Sequence, residues 1–444
     1  MTTAPAFGDR RDRLLAALAA RAGPLRLKKR TSSNLFRYAP RRAARDAIDL
    51  GDFNHVLEVD RAARTLEVEG LATFEAIVDG TLPQGLVPLI TPELKHITIG
   101  GATVGIGIES NGFRHGFVHD GLIEAEVLLA DGRIVVCRAD NEHAELFRAL
   151  PNSYGTLGYI LRAKIRLMPA AACVRLSTRA YTDPGAFFNA MRAATERADV
   201  DFIESLILAR DRLYLTLARF VEPTPATVDI VRENIFYQLL AREGDVVLTT
   251  PDYLFRYDPD WFWNIPETAP YRLFRRLAPA SMRNSGFYKR YTQVKHGVFG
   301  WLPQRPQTEE PLIQDWEVPW EHAAGFLQFA LDNVDLAGKP WIATPIRALA
   351  SPTLYPVRPG TLYFNLGCYC HVKKRPGQGD YYATRLLDRK CFDLGGIKML
   401  YSSTFLDEPE FDRIYNGAGY RAVKQRYDPD GSLGTLFQKC VLRS

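Results

Sequence analysis

The run Thr98-Ile99-Gly100-Gly101-Ala102-Thr103-Val104-Gly105-Ile106-Gly107-Ile108-Glu109-Ser110 constrains this chain more than any other stretch. Glycine lacks a Cβ, so its backbone can lie against a phosphate or under an aromatic ring. The run leads to a hairpin over Val127 to Val136, turned by Asp131-Gly132, and then to Gly155-Thr156-Leu157-Gly158-Tyr159. Three glycine clusters spaced by strands predict a backbone that follows a flat, phosphorylated ligand. Gly105-Ile106-Gly107 imitates a dinucleotide fingerprint, which needs a strand before it, a helix after it and an acid about 20 residues on. Here Ser110 takes the sixth position, a polar loop and a hairpin follow, and no long helical period begins before Asn141. The pattern argues against a Rossmann unit and predicts a nucleotide cradled between strands and loops.

The same blocks carry a family likeness. Gly-Gly-x-x-x-Gly-x-Gly-x-Glu-Ser, then Leu129-Ala130-Asp131-Gly132 and Gly155-Thr156-Leu157-Gly158, resemble the FAD-binding domain of the vanillyl-alcohol-oxidase/p-cresol-methylhydroxylase superfamily. Within it the chain resembles the Δ24-sterol reductase group and bacterial methylene-fatty-acyl reductases. Later blocks extend the likeness: Leu312-Ile313-Gln314-Asp315-Trp316-Glu317-Val318-Pro319, Leu362 to Gly367 and Lys398-Met399-Leu400-Tyr401. The resemblance covers most of Leu25 to Asp430. It implies an α+β fold, with a two-subdomain FAD-binding domain of the vanillyl-alcohol-oxidase type over residues 1–170. A substrate cap domain over 171–400 and a C-terminal segment, 401–444, returning to the FAD-binding domain complete the expectation.

At 444 residues, 46% hydrophobic and 24% charged, the chain is long enough for two globular domains. Six cysteines without C-x-x-C spacing favour a reduced, cytoplasmic interior and no metal. No apolar stretch approaches 18 residues, so membrane contact is expected only peripherally, at the inner face. Residues 10–22 read as a basic helix in which Arg10, Arg11, Arg13 and Arg21 accompany the stripe Leu14, Leu15, Leu18. It either rests on an anionic bilayer or packs on its own domain. Net charge is +5, and no basic-aromatic module suggests nucleic-acid binding. Alternation predicts a hairpin over 55–60 and 65–69, a helix from Thr73, a loop over 83–92, a helix over 142–150 and strands over 161–167, 202–209 and 213–220. The aromatic middle, Tyr253 to Tyr291, reads as core or as lining for a long apolar substrate.

The resemblance implies cofactor contacts at Arg30, Thr31, Ser32, Ser33 and Asn34, in the place of the family's pyrophosphate loop. It implies further contacts at Thr98, Gly100, Gly101, Ala102, Gly105, Gly107, Ile108, Glu109, Ser110, Gly116, Gly155, Gly158 and Ile160. The loop has no histidine for a covalent link, so noncovalent FAD is expected, with His115 and His119 left open. A flavin moves hydride through N5 while the protein positions the substrate and delivers protons. The candidate proton donors are Asp315, Glu317, His115, Tyr369, Tyr401 and Lys398.

The expected reaction is reduction of a lipid C=C bond with hydride from NAD(P)H. A methylene-branched acyl chain made by a lipid methyltransferase and a sterol side chain are the substrates considered. The alternatives are a dehydrogenase or oxidase of an acyl chain, alcohol or sugar, and a flavin-free lipid-binding protein.

Overall fold

A computed structural model describes residues 6–20, 27–28, 47–263, 268–291, 309–336, 338–375 and 377–442. The first helix, α1 (Phe7–Ala19), begins three residues before its expected start and docks on the protein. Leu14 packs with Leu50, Phe53, Leu128 and Leu161, and Leu18 packs against them, whereas Leu15 is exposed. Arg10 is buried and pairs with Glu69, whose other oxygen lies 2.7 Å from His55 Nδ1. Beside it runs a parallel pair, β1 (Leu27–Lys28) and β2 (Ile48–Asp49).

The first large sheet contains β3 (Val56–Asp60), β4 (Thr65–Glu69), β5 (Leu86–Pro88), β6 (Leu122–Leu128), β7 (Ile134–Arg138) and β8 (Tyr159–Pro169). Among the described residues its order is β3-β4-β8-β6-β7, with β5 added at the far end of β8. Both expected hairpins form, and Gly132 has the positive φ (86°) that its turn requires. The Thr73 side chain accepts from Ala76 N and so starts α2 (Phe74–Thr81) as the sequence predicts.

The glycine run corrects the expectation of strands and loops. Ile99–Gly105 is a helix, α3, capped by the Thr98 hydroxyl, which accepts from Gly101 N. Three glycines in seven residues weaken helix formation by about 1 kcal/mol each, but close packing requires glycine at Gly100 within the helix and at Gly107 just beyond it. A Cβ on Gly100 would lie 2.7 Å from Gly70 O, and one on Gly107 2.5 Å from the Val118 side chain. Tertiary contact therefore overrides the local preference.

The second sheet starts at Cys173, four residues after β8 ends. It holds β9 (Cys173–Tyr181), β10 (Phe202–Ala209), β11 (Arg212–Val221), β12 (Gly244–Thr249), β13 (Glu309–Pro319), β14 (Trp341–Arg347), β15 (Leu362–Lys373) and β16 (Ile397–Lys398). The order is β12-β9-β11-β10-β14-β15-β13-β16, antiparallel at every pairing. From Leu312 on, β13 is buried on both faces, which takes the polar side chains of Gln314, Asp315 and Glu317 out of water. The helix Tyr382–Asp393 covers one face, where Trp316 Nε1 donates to Asp388 at 2.8 Å. The other face meets the glycine segment of the first sheet, and Ile203 N donates to Ser110 O across the junction. The C-terminal helix Gly417–Tyr427 reaches back to the first sheet, with Lys424 Nζ donating to Thr156 O at 2.6 Å. Among the described residues no helix is long and apolar enough to cross a membrane.

Candidate active site

Strand alternation assembles the site. In β13 the side chains of Asp315 and Glu317 share one face and Trp316 takes the other. Across the ladder Gly367 stands opposite Asp315 and Asn365 opposite Glu317, with Tyr369 two residues along β15. The next strand places Ile342 opposite Gly367 and Thr344 opposite Asn365. Asp315, Asn365, Tyr369, Ile342 and Thr344, with Glu204 of β10, face Ile108, Glu109 and Ser110 around a narrow cavity of about 20 Å³.

Asp315 is the pivot. Its Oδ2 accepts hydrogen bonds from Tyr369 and Tyr401, each at 2.6 Å, whereas its Oδ1 has no partner among the described residues. Burial raises the carboxyl to about 6, against the lowering effect of the two tyrosine hydroxyls and of the nearby Asn365 amide. Glu317 lies one step behind, holding Asn365 at 2.9 Å and accepting from Tyr355. Burial, with the nearby Asp315 charge, raises it to about 8. Phe262 stacks on the Tyr369 ring at 4.1 Å. It belongs to a left-handed turn in which Trp261, Phe262 and Trp263 have φ of 44°, 49° and 54°, sparsely populated for bulky side chains.

On the opposite wall a buried guanidinium gathers three carboxylates. Arg256 donates to Glu109 at 2.7 Å and to Glu204 at 3.1 Å, and Glu93 lies 3.6 Å away. Its guanidinium also sits over the Tyr253 ring at 4.6 Å. Burial raises Glu93 well above the usual carboxylate range, and the neighbouring Glu109 adds to the effect. Glu93, Glu204 and Arg256 were not candidates from the sequence. Their signal was a lone arginine within the aromatic run Tyr253-Leu254-Phe255-Arg256-Tyr257, a weak cue without the fold.

Two expected proton donors are displaced. Lys398 pairs with Trp316 in the ladder, so it lies on that face, where its Nζ donates to Asp388 at 2.6 Å and to Ser403 O at 2.7 Å. It is a buried ion-pair partner and does not reach the cavity. His115 ends the short helix Gly112–His115, half-buried and outside the cavity lining. Burial lowers its pKa. His119 is buried against Phe117 and likewise outside the lining.

The expected cofactor contacts divide in the same way. Ile108, Glu109 and Ser110 line the cavity, but the Glu109 carboxylate is held by Arg256 and the Ser110 hydroxyl lies 3.1 Å from the Tyr253 hydroxyl. Gly101 is exposed and Gly105 and Gly107 half-buried, while Gly100 and Ala102 are buried. Gly116 has φ of 70° beside the Asp120 carboxylate, a tight-turn role. Gly158 packs on β6, the Ile160 backbone pairs with Val127, and Gly155 has φ of 77°. Arg30 to Asn34 lie outside the described residues.

Two features fit a flat cofactor at the α3 edge. A Cβ on Gly105 would meet nothing nearer than the Tyr154 ring at 3.8 Å, which leaves a bare stretch of backbone. The unpartnered Asp315 Oδ1 and Ser153 Oγ supply buried polar atoms without mates among the described residues.

These features define a flavoprotein of the vanillyl-alcohol-oxidase/p-cresol-methylhydroxylase class, and residues 32–138 match the family described as FAD binding domain. The Delta(24)-sterol reductase of Pisum sativum is 30% identical over 90% of this chain and 77% of its own length. That of Homo sapiens is 25% identical over 86% of this chain and 75% of its own. The chain belongs to the Delta(24)-sterol reductase family and is an FAD-dependent oxidoreductase acting on a C=C bond. Cytokinin dehydrogenase 7 of Oryza sativa subsp. japonica is 30% identical over 37% of this chain and 31% of its own length.

Proposed function

We propose that this protein reduces a C=C bond in a lipid, either a methylene-branched fatty acyl chain or a sterol side chain, at the expense of NAD(P)H and a proton. The observation that carries the reading is the Asp315 carboxyl, buried, half-partnered and raised to about 6, facing the glycine segment across the cavity. When bound, FAD supplies hydride-transfer chemistry. Gly101, Gly105, Gly107, Ile108 and the Ser110 region would hold it, noncovalently, since the segment Arg30 to Asn34 carries no histidine for a covalent link.

An isolated alkene has no carbonyl to polarise, so a proton must reach its less substituted carbon as hydride arrives at the more substituted one. Asp315 would give that proton while Tyr369 and Tyr401 fix the carboxyl's orientation. Glu93 is a second acid at the same cavity, its carboxyl pushed well above the ordinary range by burial and by the neighbouring Glu109. The electron-rich faces of Tyr257 and Tyr369, which line the cavity, would favour the positive charge that develops. The names of the relatives and this aromatic wall support a lipid substrate. An acyl substrate would come from a lipid methyltransferase that installs the methylene group.

The test is anaerobic. NADPH or NADH should bleach the flavin, and a methylene-branched lipid or Δ24-sterol should restore its colour. Asp315→Asn should leave bleaching intact and slow the lipid half-reaction by about 10²–10⁴-fold. A flavin bleached by a lipid or alcohol, but by neither nucleotide, would reverse the direction. The cytokinin dehydrogenase match supports that second reading.

A further inference from the structure

A second and larger cavity, about 380 Å³, opens between the segment that leads into α3 and the helical part of the second unit. Lys95, His96, Arg283 and Arg290 bring cationic and polar groups to it, and Glu75 and Asp252 bring carboxylates. It adjoins the smaller cavity through the chain. Glu93 lines one and Lys95 the other, and Arg256 lines one and Phe255 the other.

Its lining holds three cations, Lys95, Arg283 and Arg290, against two carboxylates, Glu75 and Asp252. The buried Asp258 carboxylate lies behind it and accepts from Lys95 N at 3.1 Å and from the Ser285 hydroxyl at 2.5 Å. Lys95 Nζ donates to Glu75 at 3.1 Å, so these two offset each other. Asp252 accepts from the Thr249 hydroxyl at 2.7 Å. Arg283 is 4% exposed, and neither its Nε nor its Nη1 has a hydrogen-bond partner among the described residues. His96 Nδ1, also buried, lacks one as well. The His96 ring lies against the helical residues 285–291, where a Cβ on Gly286 would come within 3.1 Å of it. A guanidinium taken out of water without an anion is strongly disfavoured, and its planar donor edge matches two oxygens of one tetrahedral oxyanion.

We propose that this cavity binds a phosphate group of a ligand, with Arg283 as the buried anchor and Lys95, His96 and Arg290 completing the donor set. Two sources share that chemistry, a phosphate of the dinucleotide reductant and the headgroup of a phospholipid. The proposal concerns a site the reduction chemistry does not use. Only the choice between sources rests on the reading of function given above.

The experiment uses FAD-loaded protein and titrates inorganic phosphate by calorimetry into the wild type, Arg283→Gln and Lys95→Gln. The wild type should bind saturably, and Arg283→Gln should weaken binding by about tenfold or more, the worth of a charge-assisted hydrogen bond. Lys95→Gln, on a half-buried residue, should weaken it several-fold and guards against a fold defect in the first variant. Steady-state arms then separate the sources. A KM for NADPH raised about tenfold in Arg283→Gln with that for NADH unchanged assigns the dinucleotide. A rise confined to a phospholipid, absent for the free acid, assigns the headgroup. Absence of saturable phosphate binding in the wild type, or equal affinity in all three proteins, overturns the proposal. A flavin that neither nucleotide reduces would instead sink the proposed direction of catalysis and leave the phosphate titration to decide the cavity.

Discussion

Gly367 stands directly opposite Asp315 across β13 and β15, and a Cβ placed on it would lie 2.8 Å from Asp315 Oδ1. The same Cβ would come within 3.1 Å of the Tyr369 ring and of Ile342. Backbone conformation is not the reason for glycine here, because Gly367 is ordinary strand. The vacancy lets the carboxyl and the tyrosine meet over one ladder position. Gly367→Ala should therefore overpack this face, destabilise the protein by about 1–3 kcal/mol and slow lipid reduction. Urea denaturation and single-turnover kinetics check the two effects. Wild-type rates in a normally folded Gly367→Ala protein would separate Asp315 from the chemistry.

The tyrosines should set the pH range of that step. Their hydroxyls hold the Asp315 carboxyl lower than burial alone would. A donor that must be protonated loses activity as pH rises through its pKa, so the lipid half-reaction should decline above about pH 6. Tyr369→Phe or Tyr401→Phe removes a hydrogen bond to the ionised form and should move this decline to higher pH. A pH–rate profile that moves to lower pH, or does not move, would contradict the assignment.

The glycine segment over residues 97–159 and the block around Asp315 were legible as candidates because motif and alternation are local, and Tyr369 was named beside them. Lys398 shows where local reading stops. Its block suggested the site, yet the pairing of Trp316 with Lys398 sets it on the opposite face of the sheet. Pairing between strands is not written in either strand alone. Arg256 shows the same limit from the other side. It lies 147 residues from Glu109 and acquires its meaning only when the second sheet closes on the glycine segment. The helix α3 escaped because its Gly100 answers to a close contact with Gly70, not to helix propensity.

Substitution of Arg256 should be strongly destabilising. Removing one member of a buried charge cluster leaves the others uncompensated, which costs about 3–5 kcal/mol. Arg256→Met should therefore lower stability by that order, since Glu93, Glu109 and Glu204 would face one another without a cation. Arg256→Met combined with Glu109→Gln should recover part of the loss. Denaturant midpoints of the single and double variants measure this coupling, and strict additivity would mean that the pair at 2.7 Å contributes nothing specific.

Glu317 should make stability depend on pH from the alkaline side. Its folded-state value is raised to about 8 from an ordinary value near 4.5, so the folded protein holds a proton that the unfolded chain has released. Between those values the native state binds more protons, and stability falls as pH rises, by up to about 1.4 kcal/mol per pH unit. The contribution is complete below the unfolded value and lost as pH passes through about 8. Asp315, raised to about 6, adds to the slope over the lower part of this range. Glu317→Gln keeps a partner for Asn365 and Tyr355 but carries no proton to lose. Its melting temperature should therefore decline less than that of the wild type between pH 6 and pH 9. Parallel declines in the two proteins would show that Glu317 ionises in the folded state as readily as in the unfolded chain.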